Sequence, residues 1–148
     1  MDFQTSQQIK ADERLNIKMK VFKGKIRKKV SIRLVGDAEL SFETLNKKVG
    51  EQKQKGVQSS KEITLLNAIE RMVDILVENP FYGENAKKSM IPKYYIETYD
   101  VSNIFIADLP DYWRLVYTLE SDEIEIIAFI LDIFDHEKYN KKFGFKKK

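Results

Sequence analysis

The fold of this chain is decided by one stretch, YWRLVYTLESDEIEIIAFILDIF, which spans residues 112–134. It contains two runs rich in aromatic and β-branched residues, 112–119 and 124–134, with the polar residues 120–123 between them. A connection of this length joins antiparallel neighbours, because a parallel crossover needs about a dozen residues or more. We therefore expect two antiparallel strands, and the second should be a central strand because it is almost wholly apolar.

Two helices are expected upstream, at 37–50 and 61–79, because apolar residues recur there at helical spacing. Asp37 is the expected N-cap of the first helix. Ser59 and Glu62 are expected to form a capping box at the start of the second helix. A short linker between the two would make them an antiparallel pair, and one face of this pair should lie on the sheet.

The segment between the helices and the final strands has a less regular pattern. Residues 81–102 predict a loop with one helical turn, because Gly83 and Pro92 interrupt any periodicity. A third strand is expected at residues 103–109, NIFIADL, which end before Pro110. The whole order predicts an α+β fold in which a helix pair packs on a mainly antiparallel sheet.

The N-terminal segment is basic and changes character along its length. Residues 1–14 are polar and lack periodicity, which predicts a mobile arm or a short unpacked helix. From Ile17 the alternation of apolar and polar residues predicts a strand, and residues 25–34 predict either the second arm of a hairpin or the first full strand. We divide the chain into a basic extension, 1–28, which includes the extra strand if one forms, and one main domain, 29–148.

The composition excludes several classes of protein. A chain of 148 residues with 43% hydrophobic and 33% charged residues fits one globular domain. The absence of cysteine excludes disulfides, thiolate metal sites and a cysteine nucleophile. The N-terminus lacks the apolar core of a signal peptide, and no stretch has the length of a membrane span. We therefore expect a cytoplasmic protein that does not interact with membranes.

Three sequence words, in order, resemble a known family. They are VENP at 77–80, YWRLVYTL at 112–119 and IIAFILDIFDHEKYNKKFGF at 126–145. Together they resemble the RelE/ParE superfamily, the toxin components of type II toxin–antitoxin pairs, over roughly residues 30–145. The resemblance implies a β-α-α-β-β-β order for the main domain.

The function that the resemblance implies is a toxin-type endoribonuclease, an mRNA interferase that in many members acts on the ribosome. Such an enzyme would need neither a metal nor a cofactor, and an antitoxin protein would neutralise it. Two alternatives share the fold: a member without catalysis that acts as a protein-binding module, and a toxin that poisons gyrase.

The resemblance implies catalytic roles for Arg114, His136 and Tyr139. Arg114 matches the family's sheet arginine, and a guanidinium can clamp phosphate oxygens bidentately; alternatively it pairs with Asp111 or Glu123. His136 is the only histidine, and an imidazole exchanges protons near neutral pH; alternatively it is a surface residue in an acidic turn. Tyr139 is the candidate for assisting proton transfer.

RNA contacts are expected from residues near the C-terminus and from one lysine of the loop. These residues are Lys93, Lys141, Lys142, Phe143 and Phe145. The aromatic rings among them could stack on nucleobases or belong to the core. The chain departs from the family at two places, because Ile106 and Ala107 stand where relatives carry a cation and Phe145 stands where they carry a tyrosine.

Overall fold

The structure is a computed structural model that describes residues 18–22 and 25–144, with side chains from residue 28 onward. These residues form six strands and four helices. In chain order they are β1 (Lys18–Phe22), β2 (Lys25–Leu34), α1 (Gly36–Gln54), α2 (Lys61–Glu78), β3 (Glu84–Asn85), α3 (Lys93–Tyr99), β4 (Phe105–Leu109), β5 (Trp113–Ser121), β6 (Glu125–Phe134) and α4 (His136–Phe143). Two 3₁₀ turns, Lys88–Met90 and Pro110–Tyr112, precede α3 and β5.

The strands form one mixed sheet in the order β1-β2-β6-β5-β4-β3. Only β2 and β6 run parallel, and every other neighbouring pair is antiparallel. The expected α+β class is therefore confirmed, and so is the antiparallel pairing of the last three long strands. β6 lies between β2 and β5, which explains why its sequence is apolar on both faces.

The helix pair α1 and α2 covers one face of the sheet. Its apolar stripe packs on inward-facing residues of β2, β4, β5 and β6, which include Ile32, Leu115 and Ile130. The phenol of Tyr117 ties the end of α2 to β5, because it donates to Pro80 O at 2.8 Å and accepts from Gly83 N at 2.9 Å. Leu115 and Tyr117 thus point toward the helices, as period-two alternation requires when Arg114 points away.

The helices start within one residue of the expected positions, 37 and 61, but the expected caps were wrong. The N-cap residue of α1 is Val35, and Asp37 lies inside the first turn, where its carboxylate is favoured by the helix dipole. α1 also continues past residue 50 to Gln54. At α2 the cap is Ser60, whose Oγ accepts from Ile63 N at 3.0 Å, so Ser59 and Glu62 do not form a capping box. The end of α2 at Glu78 agrees with the expectation within one residue.

The other face of the sheet is covered as well. α3, α4 and the loop residues around Ile91 and Ile104 pack there against Val116 and Leu131 and form a second core. The segment 81–102 is thus more structured than a loop with one turn. Residues 136–143, expected as part of a polar turn, form a helix that Asp135 caps by accepting from Lys138 N at 2.9 Å.

β1 and β2 form an antiparallel hairpin, one of the two arrangements left open for residues 25–34. The expected polar arm at 1–14, the residue Ile17, Phe145 and the last three lysines lie outside the described residues.

Candidate functional site

Arg114, near the start of β5, is held at three sides. Asp108 stands directly opposite it on β4, and its Oδ1 lies 3.1 Å from the Arg114 Nε. The Nη1 group donates to Trp113 O at 3.2 Å, and the guanidinium carbon lies 5.2 Å from the centre of the Tyr139 ring. The Arg114 side chain is 17% exposed, whereas that of Asp108 is 81% exposed. The guanidinium therefore has a fixed orientation at the border between core and solvent.

The ion pair of Arg114 differs from both alternatives considered from sequence. Neither Asp111 nor Glu123 is the partner, because the register of the β4–β5 pair places Asp108 across from Arg114. Cross-strand neighbours of opposite charge meet most directly in an antiparallel pair. Asp108 is a residue that sequence reasoning missed, and the short turn between NIFIADL and YWRLVYTL was the signal that could have revealed it.

Tyr139 packs between the sheet and the remainder of α4. Its ring centre lies 4.8 Å from that of Phe143 and 6.1 Å from that of Phe134. Burial raises the pKa of Tyr139, Arg114 opposes this shift, and the carboxylates of Glu84 and Asp108 add to it. The phenol therefore remains protonated at neutral pH, which suits a hydrogen-bond or proton donor rather than a base.

His136 lies one helical turn before Tyr139 and contacts different residues. Its ring centre is 5.7 Å from that of Tyr112, and its Nε2 lies 3.1 Å from the Asn140 amide nitrogen. The imidazole is exposed. The structure thus brings Arg114 and Tyr139 into contact and places His136 beside them, next to Tyr112, which sequence reasoning had not singled out.

The lysines expected to contact RNA divide into two kinds. Lys93 and Lys141 are exposed on α3 and α4. Lys142 is engaged inside the fold: its Nζ lies 3.2 Å from the Asp132 carboxylate and 4.0 Å from the centre of the Tyr94 ring. Asp132 itself is only 4% exposed. Lys142 therefore serves an internal ion pair.

Among the aromatic residues expected to contact RNA, Phe143 lies in the core rather than on a surface where it could stack on a nucleobase. Phe143 is buried in the second core, where its ring centre lies 6.0 Å from that of Tyr95. Its ring is thus occupied by protein contacts. At the departures on β4, Ala107 is buried on the helix-pair side and Ile106 packs on the second core, so that neither position presents a polar group beside Arg114.

A groove between the helix pair and the sheet is the other notable surface feature. It runs between α1, the start of α2 and the start of β5, and two adjoining cavities of about 450 and 480 Å³ share Leu45, Leu65 and Trp113. Leu40 at its rim is exposed. The groove is apolar at its base and bordered by lysine and glutamate side chains.

Within residues 18–22 and 25–144, no group of three or more histidine, aspartate or glutamate side chains is placed to hold a metal ion. None of the helices in that part of the chain has the length and apolar content of a membrane span. Comparison with protein families, curated proteins and solved structures finds no match to this chain.

Proposed function

We propose that this protein is a toxin-type endoribonuclease that cleaves RNA without a metal ion, with Arg114 and Tyr139 at the centre of the site. The observation that carries the proposal is the contact of the Arg114 guanidinium with the Tyr139 ring near the start of β5. Cleavage through the RNA's own 2′-hydroxyl needs a cation for the phosphate charge, a proton donor and a proton acceptor. Arg114 and Tyr139 fit the first two requirements.

Each step of the reaction has a residue to perform it. The 2′ oxygen bonds to the adjacent phosphorus while His136 accepts its proton, and the bond between phosphorus and the 5′ oxygen breaks. Tyr139 gives its proton to the departing 5′ oxygen, and Arg114 binds the non-bridging phosphate oxygens throughout. The products carry a 2′,3′-cyclic phosphate and a 5′-hydroxyl, and a proton passing through water from His136 to Tyr139 restores the enzyme.

The electrostatics of the site support these roles. The Tyr139 phenol, whose pKa burial raises, carries its proton at neutral pH and can give it to the departing 5′ oxygen, which is the stronger base. Asp108 and the Trp113 carbonyl engage Nε and Nη1, so that a phosphate can approach the remaining hydrogens of Nη1 and Nη2. The exposed Lys93 and Lys141 could attract the RNA backbone, whose binding is largely electrostatic.

The test is RNA cleavage by the purified chain on unstructured single-stranded RNA, and translation arrest in a cell-free extract. Arg114→Ala should lower the rate by about 10²-fold or more, the usual effect of removing a preorganised donor to the transition state. Tyr139→Phe keeps the ring but loses the proton and should cost a similar factor. His136→Ala should slow cleavage, and Arg71→Ala, which removes an exposed arginine of α2, is the matched surface control. Equal activity of Arg114→Ala and the parent, or no cleavage and no arrest by the parent, would falsify the proposal.

A second candidate is a protein-binding module without catalysis, for which the groove beside Trp113 is the favouring observation. Its partner would be the antitoxin that the resemblance implies, docked by an apolar segment with charged flanks. The cleavage experiment separates the two candidates, because a pure binding module leaves RNA intact and translation unaffected.

A further inference from the structure

Tyr112 presents an aromatic ring to solvent beside the proposed active site. It ends the turn Pro110–Tyr112 between β4 and β5, and the residue is 71% exposed. Its ring is inclined by 53° to the imidazole of His136, with the ring centres 5.7 Å apart. The imidazole therefore supports part of the ring, and much of the phenol remains in contact with solvent.

The backbone beneath this ring is strained. Asp111 has φ 59° and Tyr112 has φ 62°, so that two successive non-glycine residues adopt left-handed conformations. A bulky side chain in that region is an outlier, and such residues cluster at functional sites. Burial of the Tyr112 ring does not offset the strain, because the ring is mostly exposed. Glycine at this position would adopt the same backbone conformation without strain and would therefore stabilise the fold more than tyrosine does.

The turn places Tyr112 two residues before Arg114, just ahead of the start of β5. Trp113 between them is extended, so Tyr112 and Arg114 are separated by about 6.8 Å, the length of two strand residues. On α4 their partners, His136 and Tyr139, lie three residues apart and therefore share a helix face. Two neighbouring contacts therefore join α4 to β5 and the turn before it. One is the ring contact between Tyr112 and His136, and the other is the cation–π contact between Arg114 and Tyr139.

We propose that Tyr112, supported by His136, is a subsite that stacks on a nucleobase of the single-stranded RNA whose phosphate binds Arg114. This inference rests on the proposed function and adds to it the position at which a base is held. In RNA, the distance between a base and its own phosphate is similar to the distance between Tyr112 and Arg114. Aromatic stacking accepts any base, because every base has a π-face, and the subsite would therefore position RNA without selecting its sequence.

The charges around the turn favour a base at Tyr112 rather than a second phosphate. Asp111 lies in the same turn, so its carboxylate borders Tyr112, whereas the carboxylate of Asp108 is paired with the Arg114 guanidinium at 3.1 Å. Carboxylates repel phosphate oxygens but do not prevent a neutral base from stacking. The phosphate is thus directed to Arg114 and the base to Tyr112.

The test measures binding of the full chain to a short single-stranded RNA that contains 2-aminopurine, whose fluorescence is quenched on stacking. Tyr112→Gly should weaken binding roughly tenfold, equal to about 1.4 kcal/mol, and should abolish the quenching that the parent causes. Tyr112→Trp should keep both. Because glycine relieves the strained backbone, the thermal midpoint of Tyr112→Gly should stay equal or rise, which separates lost stacking from unfolding.

The outcomes distinguish this inference from the function on which it rests. If the parent binds RNA, Arg114→Ala weakens that binding and Tyr112→Gly leaves affinity and quenching unchanged, the stacking subsite is wrong and the function stands. If the parent neither binds nor cleaves RNA, both are wrong. A Tyr112→Gly protein that loses RNA binding only because it unfolds at lower temperature also contradicts the strain on which the inference depends.

Discussion

Tyr94 is a single residue whose ionisation reports on the packing of α3 against α1. Its hydroxyl donates to the Asp37 carboxylate at 2.8 Å, and this hydrogen bond, with burial as a smaller cause, raises the pKa of Tyr94 to about 12. Asp37→Asn removes the negative charge and should lower the pKa of Tyr94 toward its ordinary value of 10.0. NMR titration of the tyrosine ring carbons measures this, with Tyr94→Phe to assign the resonance.

The control is Tyr117, whose pKa is raised by burial without a contribution from Asp37. Its titration should not move in Asp37→Asn. The sign of the linked stability follows from the raised pKa of Tyr94: its contribution is complete below about pH 10 and is lost as the pH rises through about 12. An unchanged Tyr94 titration in Asp37→Asn contradicts the hydrogen bond.

For single residues, the sequence predicts the direction of a side chain where its position in a strand leaves only one possible orientation. Period-two alternation requires Leu115 and Tyr117 to point inward if Arg114 points away from the helix pair, and the structure shows this arrangement. The same reasoning could not place Lys142, because a lysine in a basic run is indistinguishable by sequence from one that is paired. Its partner Asp132 lies on another element and becomes its neighbour only through the fold.

An ion pair between Lys142 and Asp132 adds to the packing that holds the C-terminal helix α4 on the sheet. Lys142 Nζ donates to the Asp132 carboxylate at 3.2 Å, and the Tyr95 hydroxyl donates to the same oxygen at 2.8 Å. Lys142→Met should lower the free energy of unfolding by about 1–3 kcal/mol, because it leaves a buried carboxylate with one partner fewer. Lys141→Met is the matched control and should change it by no more than about 0.5 kcal/mol.

The pH dependence of Lys142→Met follows from the pKa of Asp132. Burial raises this pKa above its usual value, while Tyr95 and Lys142 lower it, so removing Lys142 should raise it further. A carboxyl with a raised folded-state pKa favours the folded state at low pH, and this is lost as the pH rises through that pKa. The loss of stability in Lys142→Met should therefore be larger at neutral pH than in acid. Denaturant unfolding at both conditions decides this, and an equal loss at both contradicts the role of Asp132.

Helices and strands whose apolar pattern extends over many residues were predictable from the sequence. Those whose pattern consists of only a few residues were not. The stripe of α2 and the run of β6 each involve many residues, and their expected bounds agree closely with the structure. α4 has only Tyr139 and Phe143 on its apolar face, too few to establish a period in eight residues. Such a helix forms through packing on the second core rather than through its own pattern.

For the whole molecule, the number of layers was the feature that the sequence did not reveal. A helix pair on a sheet was expected, but α3, α4 and the preceding loop add a third layer on the opposite face. Their contribution depends on Tyr95, which is fully buried although it lies in a segment of weak periodicity. This layer leaves Tyr112 and the solvent-facing part of Arg114 as the accessible part of the proposed site, and under the proposed function RNA would enter there.

The measurement that tests the central claim most directly is cleavage of an RNA in which one nucleotide carries 2′-deoxyribose at the position cut in the parent RNA. If Arg114 and Tyr139 promote attack by the 2′ oxygen, the deoxy substitution should block cleavage at that position, and mass spectrometry of the unmodified RNA should find a 2′,3′-cyclic phosphate. Undiminished cleavage of the deoxy-substituted RNA, or products that carry a 5′-phosphate, would contradict the account.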